Sequence, residues 1–476
     1  MKHLHVNSTN ETILSPNVRT TGLQSNSAWQ RVGLIGIGIL YLAALLVNYY
    51  WYVSPVYSYA GMIVQDLPQW VWASAICLAV MPLLWMPIRC RLPSDYAVWI
   101  LYITIIGPFP FIAVLTTRNY SFANALFIAF ILVIAFSFFD CCRRFIYIPP
   151  INFPEFKGLF LFGLPIITLL ISFFILMINE FQIDFSSDIY ERRFHARELV
   201  VSGSLISYSI AFLRGTCVPL TITIGLHYRK HFFLILSLLA TVIIFGFDGT
   251  KSSVFLPILI TFVIRLLSKF EDNHGRVLLF GLIILVTLGT LESIVLPNSL
   301  ISYVFIRRIL FLPSLLTTFY WDFFSTNPYV LFSDNLLSGF IHARYDLPIP
   351  RIIGEVYFRG VETNANANLW ASAYAQAGYI GVIFTSFFGG IILRFVDAIA
   401  NADRIVPACV VCVSIGFFWS QGALHTSLLS NGIFACIMAL LVFPTSAFTS
   451  NNLPVQKQNI ALFDDKRPNF RYILSR

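Results

Sequence analysis

The chain has 476 residues, 57% of them apolar or aromatic and only 11% charged, with a mean hydropathy of +0.77. That leaves too little polar surface to cover a water-soluble globule of this size, so a soluble enzyme is excluded, and apolar runs of about 20 residues predict an all-α polytopic integral membrane protein. The formal charge of +8 would suggest nucleic acid in a soluble protein; in a membrane protein it first asks how the basic residues divide between two sides.

Residues 1–31 are polar and lack the apolar core and small-residue cleavage site of a signal peptide, which predicts a cytoplasmic tail and an uncleaved first span. About 12 spans are expected in a transmembrane domain over 32–447. In the first half they lie near 32–53, 69–88, 96–116, 121–140, 158–179 and 200–224. The second half gives 231–247, 253–268, 277–296, 369–392, 405–419 and 428–447, then a cytoplasmic tail over 448–476. With the N-terminus inside, 20 of the 31 basic residues are cytoplasmic and 10 are outside, and Arg214 stands alone within a span. Five of those 10 sit in one long outer loop, 297–368, so the short loops obey the positive-inside bias and the +8 is a topology signal that points to no nucleic acid. Segment 300–324 is long enough for a further span. Arg307 and Arg308 would then lie mid-bilayer at about +3 kcal/mol each, so an interfacial or re-entrant helix is expected instead.

None of the eight cysteines falls in an outer loop, and Cys409-x-x-Cys412 lies in an apolar span, so structural disulfides are not expected and the pair reads as helix packing. No Walker A, H-E-x-x-H, EF-hand or D-x-D pattern is present, which disfavours ATP hydrolysis and zinc chemistry and leaves no cofactor or metal expected.

Polar material stands out on the outer face in three places. Loop 180–199 carries dense mixed charge, including Glu180, Asp184, Arg192, Arg193, His195 and Arg197, which reads most simply as a solvated loop. Asp248-Gly-Thr-Lys251-Ser252 is a tight turn between two short spans, either a functional pair of charges or a local ion pair. Loop 297–368 sets five arginines among Tyr303, Tyr320, Trp321, Tyr329, Tyr345 and Tyr357. Arginines bind phosphate bidentately and aromatic rings sit at headgroup level or stack on sugars, so the combination suits a lipid-linked, phosphate-bearing glycan. A lone guanidinium within a span is costly. Arg214 therefore lines a polar pocket or pairs with a buried carboxylate.

The sequence resembles the bacterial oligosaccharide repeat-unit polymerases of the Wzy type over about residues 245–385. The stretches that carry this are Gly249-Thr-Lys251-Ser252, Arg307-Arg308-Ile-Leu-Phe-Leu-Pro313 and Tyr320-Trp-Asp322-Phe-Phe324. They are followed by Asn364-Ala-Asn366-Ala-Asn368-Leu-Trp-Ala371 and Tyr374-Ala-Gln-Ala-Gly378-Tyr-Ile-Gly381. The resemblance implies an inner-membrane glycosyltransferase of GT-C-like fold. It would join undecaprenyl diphosphate-linked oligosaccharides into O-antigen or a similar surface polysaccharide at the periplasmic face, among membrane lipids and with a polysaccharide chain-length regulator as a partner. An O-antigen ligase and a lipid-linked oligosaccharide flippase are the alternatives. Many family members carry Arg where Lys251 stands. For such a reaction Arg308, Arg351 and Arg214, supported by Arg307 and Lys251, are the candidates to hold the diphosphate. Candidate bases are Asp322, the favoured one, Glu355, His342 and Asp248. Asn364, Asn366, Trp370 and Tyr320 are candidates for the glycan, with helix capping the alternative role for the asparagines.

Overall fold

The computed structural model describes residues 20–117, 121–182, 192, 195–196, 198–200, 204–269, 274–296, 299–333, 340, 342–358, 363–401 and 403–448, with the backbone alone at 20–27 and 446. Most of both expected tails lies outside the described residues, as do Asp184, Arg193, Arg197 and Arg359. Every regular element among the described residues is a helix.

Among the described residues ten helices are long and apolar enough to cross a membrane: Ala28–Ala60, Ser94–Leu115, Phe122–Phe145, Leu159–Ile178, Leu205–His227, His231–Asp248, Ser252–Lys269, His274–Val295, Ile301–Thr326 and Leu369–Ile399. Of the about 12 spans expected, these ten have the length and composition to cross, or 11 with the bent pair Leu424–Ser430 and Ile433–Leu441. The segments expected at 69–88 and 405–419 form the shorter apolar helices Gln69–Leu84 and Ile405–Trp419. The last one is broken into Leu424–Ser430 and Ile433–Leu441, bent by 64° at Gly432, which has φ +75° and packs tightly on Thr216 and Ala211. Pro165, Pro219 and Pro313 each lie inside a longer helix directly after a π-helical turn (Leu159–Gly163, Leu213–Cys217 and Ile301–Phe311), where the break in the regular hydrogen-bond ladder accommodates a residue without an N–H. The outward faces of the helices expose Phe162, Ile235 and Ile380, the surface that hydrocarbon covers in a membrane.

Polar contacts fix which helix ends lie together. At one end Arg143 is buried and bonds Asp95 and Asp140, each at 2.6 Å, while Asp140 also holds Arg144 at 2.7 Å. Asp397 accepts from the Ser94 backbone N–H at 3.0 Å and from its hydroxyl, and Ser94 in turn accepts from Arg143. The same end holds Arg31 on the Leu83 and Met86 carbonyls and the Tyr96–His274 bond of 2.6 Å. Sequence reading set Asp95, Asp140, Arg143 and Asp397 among cytoplasmic flanks. All four are buried between helices, because three carboxylates and a shared guanidinium satisfy one another there.

Two elements reach toward the opposite, Arg307 end. Helix Leu369–Ile399 is interrupted at Ala377 and Gly378, the latter at φ +61° and ψ −144°, a conformation essentially confined to glycine. Its arms fold back on each other. Trp370 Nε1 donates to Ser386 Oγ at 2.9 Å, and a Cβ on Gly381 would sit 2.2 Å from the Ala373 carbonyl oxygen. A straight helix would separate Trp370 from Ser386 by about 24 Å. The segment expected as a plain span over 369–392 is thus a hairpin whose first arm starts inside the bundle. Helix Ile301–Thr326 starts where Tyr303 stacks on Tyr57 and ends where the Val330 and Leu331 N–H groups bond the Ala375 and Gln376 carbonyls beside the hairpin turn. Its length and composition also suit a membrane crossing.

Candidate functional site

The cations at the Arg307 end come from three elements, and an aromatic ring beside them from a fourth. Arg214 sits in the π-helical turn Leu213–Cys217 of helix Leu205–His227, and Arg307 in the π-helical stretch Ile301–Phe311; such widened turns are frequent at functional sites. Lys251 occupies the turn between His231–Asp248 and Ser252–Lys269, and Tyr57 lies near the end of the first long helix.

Arg214 is an ion-paired residue. Its guanidinium bonds Asp248 Oδ2, and its Nε donates to Ser253 Oγ at 2.9 Å. Asp248 Oδ1 accepts from the Thr250 N–H at 2.8 Å and hydroxyl at 2.6 Å, and Thr250 and Ser253 share a hydrogen bond of 2.8 Å, closing a ring around the pair. Asp248, half-buried, is the carboxylate that a lone arginine in a span demands. Lys251 follows three residues later and points elsewhere, its Nζ 4.2 Å above the Tyr303 ring.

Arg307 is held differently. Its guanidinium carbon lies 4.1 Å from the centre of the Tyr57 ring and 5.1 Å from that of Tyr303, and its buried Nε has no hydrogen-bond partner. Among the described residues no carboxylate pairs with it. Aromatic faces stabilise the charge by about 0.5–2 kcal/mol but leave the N–H edges uncommitted. Arg307 and Lys251 thus meet over the Tyr303 ring, with Asp248 of the Arg214–Asp248 pair three residues back along the same turn. Arg308 is the next, half-buried residue of the helix.

Asp322 lies on the same helix 15 residues further on, about 20 Å along its axis, so it is not part of this cluster. It is half-buried and accepts from the Tyr357 hydroxyl at 2.6 Å; the Tyr357 ring stacks on Phe319 at 4.3 Å. Around it Trp321 stacks on Tyr374 at 4.4 Å, and the Tyr345 hydroxyl donates to the Pro328 carbonyl at 2.6 Å, burial raising its pKa. Arg351 and Glu355, one turn apart on helix Ile349–Phe358, are both exposed, and so is His342. Arg351 is therefore separate from the other proposed diphosphate ligands.

The candidates for the glycan divide by burial. Along the extended stretch 363–368, Asn364 and Asn366 are exposed while Ala365 and Ala367 are buried. Trp370 is fully buried among Phe136, Phe139 and Ser386, and Tyr320 is 2% exposed with its hydroxyl on the Ala365 carbonyl. Neither ring has a free face, so both are corrected to packing residues. Asn368 takes the capping role: its Oδ1 accepts from the Trp370 and Ala371 N–H groups at 3.0 and 3.1 Å, and its amide donates to Thr317 at 2.6 Å.

Sequence reading passed over Tyr57, Thr250 and Ser253. The dense run Tyr49-Tyr-Trp-Tyr52 followed by Tyr57 and Tyr59 was the available signal. An apolar groove of about 420 Å³, lined by Cys77, Leu126 and Phe130 among others, shares no residue with these clusters. No protein-family model, no curated protein and no solved structure matches the chain.

Proposed function

We propose that the chain is a membrane glycosyltransferase that polymerises undecaprenyl diphosphate-linked oligosaccharide repeat units into O-antigen or a similar surface polysaccharide, with the Arg307 end facing the periplasm. The observation that carries this reading is Arg307, a half-buried guanidinium between two tyrosine rings, with no carboxylate partner among the described residues and an unpartnered Nε, beside Lys251. A guanidinium taken from water without a counter-ion is costly, and an arriving diphosphate supplies the missing charge.

The chemistry asks little more of the protein. The acceptor hydroxyl oxygen attacks the anomeric carbon of the donor, the bond from that carbon to the diphosphate oxygen breaks, and the hydroxyl proton passes to a base. Cations that screen the departing diphosphate and groups that orient the acceptor supply the rate enhancement. In a direct displacement the base and the leaving group stand on opposite sides of the anomeric carbon. Asp248, bonded to Arg214, is on the wrong side for that task and acts as a counter-ion. Asp322, about 20 Å along the helix from Arg307, is out of hydrogen-bond reach of the acceptor hydroxyl, so with Tyr357 it meets the glycan rather than serving as the base. Arg351, Asn364 and Asn366 then lie free to meet the glycan.

The test is a deletion strain complemented with variants and read on a lipopolysaccharide gel. Deletion should leave core bearing a single repeat unit, and Arg307→Ala at normal protein level should do the same, while Arg307→Lys restores part of the ladder. Bare core with polymer stranded on the lipid carrier would identify a ligase, and a repeat unit retained in the cytoplasmic leaflet a flippase. A full ladder with Arg307→Ala would overturn the reading.

A further inference from the structure

Beside the Arg307 cluster stands an aromatic ring that neither packing nor hydrogen bonding explains. Tyr59 is 79% exposed, in the short helical turn Ser58–Ala60 that ends the first long helix at Gly61, whose φ is +92°. Its ring centre is 6.1 Å from that of Tyr57, and Tyr57 is the ring on which the Arg307 guanidinium rests, at 4.1 Å. Tyr57 itself is buried, closed in by Tyr52, Tyr303 and Arg307, so it offers no face to a ligand. Tyr59 therefore carries the exposed aromatic surface of this stack, one ring removed from the uncommitted guanidinium.

We propose that Tyr59 is a sugar platform: the pyranose ring joined directly to the diphosphate lies flat on it while the diphosphate engages Arg307. This inference rests on the reading of Arg307 as a diphosphate ligand. The arrangement suits the chemistry, because the first sugar of a glycosyl diphosphate begins next to the charge, and Tyr59 stands next to the ring that carries Arg307, 6.1 Å from it centre to centre. An axial C–H face of a pyranose is apolar and electropositive, and meets the electron-rich face of tyrosine as another aromatic edge would. Tyr59 then distinguishes a glycosylated lipid diphosphate from the bare carrier left after transfer, which favours release of the spent carrier.

The experiment measures binding of two probes to the full-length protein in lipid nanodiscs: undecaprenyl diphosphate, and undecaprenyl diphosphate bearing one N-acetylglucosamine. The wild type should bind the sugar-bearing probe about five- to tenfold more tightly, the size of one stacked aromatic contact. Tyr59→Ala should erase that preference and leave the bare carrier's affinity unchanged, and Tyr59→Trp should keep it. Arg307→Ala should weaken both probes alike. If the wild type binds the two probes equally, or Tyr59→Ala keeps the preference, the platform is refuted and the diphosphate reading stands. If Arg307→Ala leaves the bare carrier's affinity unchanged, the diphosphate reading itself fails.

Discussion

Arg214 and Arg307 are both arginines at one end of a membrane bundle, and what separates them is the partner. Arg214 is neutralised by Asp248 within a closed ring of hydrogen bonds, whereas Arg307 is balanced only by the faces of two tyrosines. Their substitutions should differ accordingly. Asp248→Asn keeps the shape of the ring and removes its charge, leaving chain growth within about tenfold of the wild type. Arg307→Ala removes the proposed diphosphate ligand and should cost about 10²–10³ in rate, the usual worth of one charge-stabilising donor. Single-turnover polymerisation with purified protein separates the two; an equal loss with Asp248→Asn would make Asp248 a catalytic group. The cost of Arg214 in an apolar span is visible in the sequence. Its partner is not, since Asp248 lies 34 residues away and only the packing of helix Leu205–His227 on the turn after His231–Asp248 brings the two together.

At the scale of elements, apolar length reveals the helices and hides their breaks. The run from Leu369 to Ile399 has the composition of one span, and nothing in Gln376-Ala-Gly378-Tyr announces a reversal; the turn exists because Gly378 can adopt a backbone that other residues avoid. Gly378→Ala would force that backbone on alanine and drive a Cβ to within 2.8 Å of the Tyr329 ring, costing about 1–3 kcal/mol. Asn368→Ala should cost about 1 kcal/mol as a lost cap. Thermal unfolding in detergent should show a clearly lower midpoint for the glycine variant and a smaller drop for the cap variant. A midpoint unchanged by Gly378→Ala would mean that the arms can part. Helix Ile301–Thr326 is legible as a helix from its apolar run, whereas its two adjacent arginines bear on its depth in a bilayer and not on its existence.

For the molecule as a whole, the charges divide into two sets with opposite tasks. Those at the Arg143 end are used up: Arg143 is shared among Asp95, Asp140 and Ser94, and Ser94 passes the network on to Asp397, so helices Ser94–Leu115, Phe122–Phe145 and Leu369–Ile399 are locked together. Arg143→Ala would leave buried carboxylates uncompensated and should destabilise the protein by about 3–5 kcal/mol, read as a lower melting midpoint in detergent; an unchanged midpoint would show that the network is slack. In the sequence these residues look like loop flanks, since a charge near the end of an apolar run cannot declare whether it faces water or a neighbouring helix. The hairpin also bears on how the protein is made. Its first arm, nine residues and about 13 Å long, is far too short to be inserted as a span, so it must enter the bilayer as a passenger of the longer arm and fold back only afterwards. Assembly of the proposed site is therefore a late event of biogenesis, waiting on Trp370 to find Ser386 after the rest of the bundle is in place.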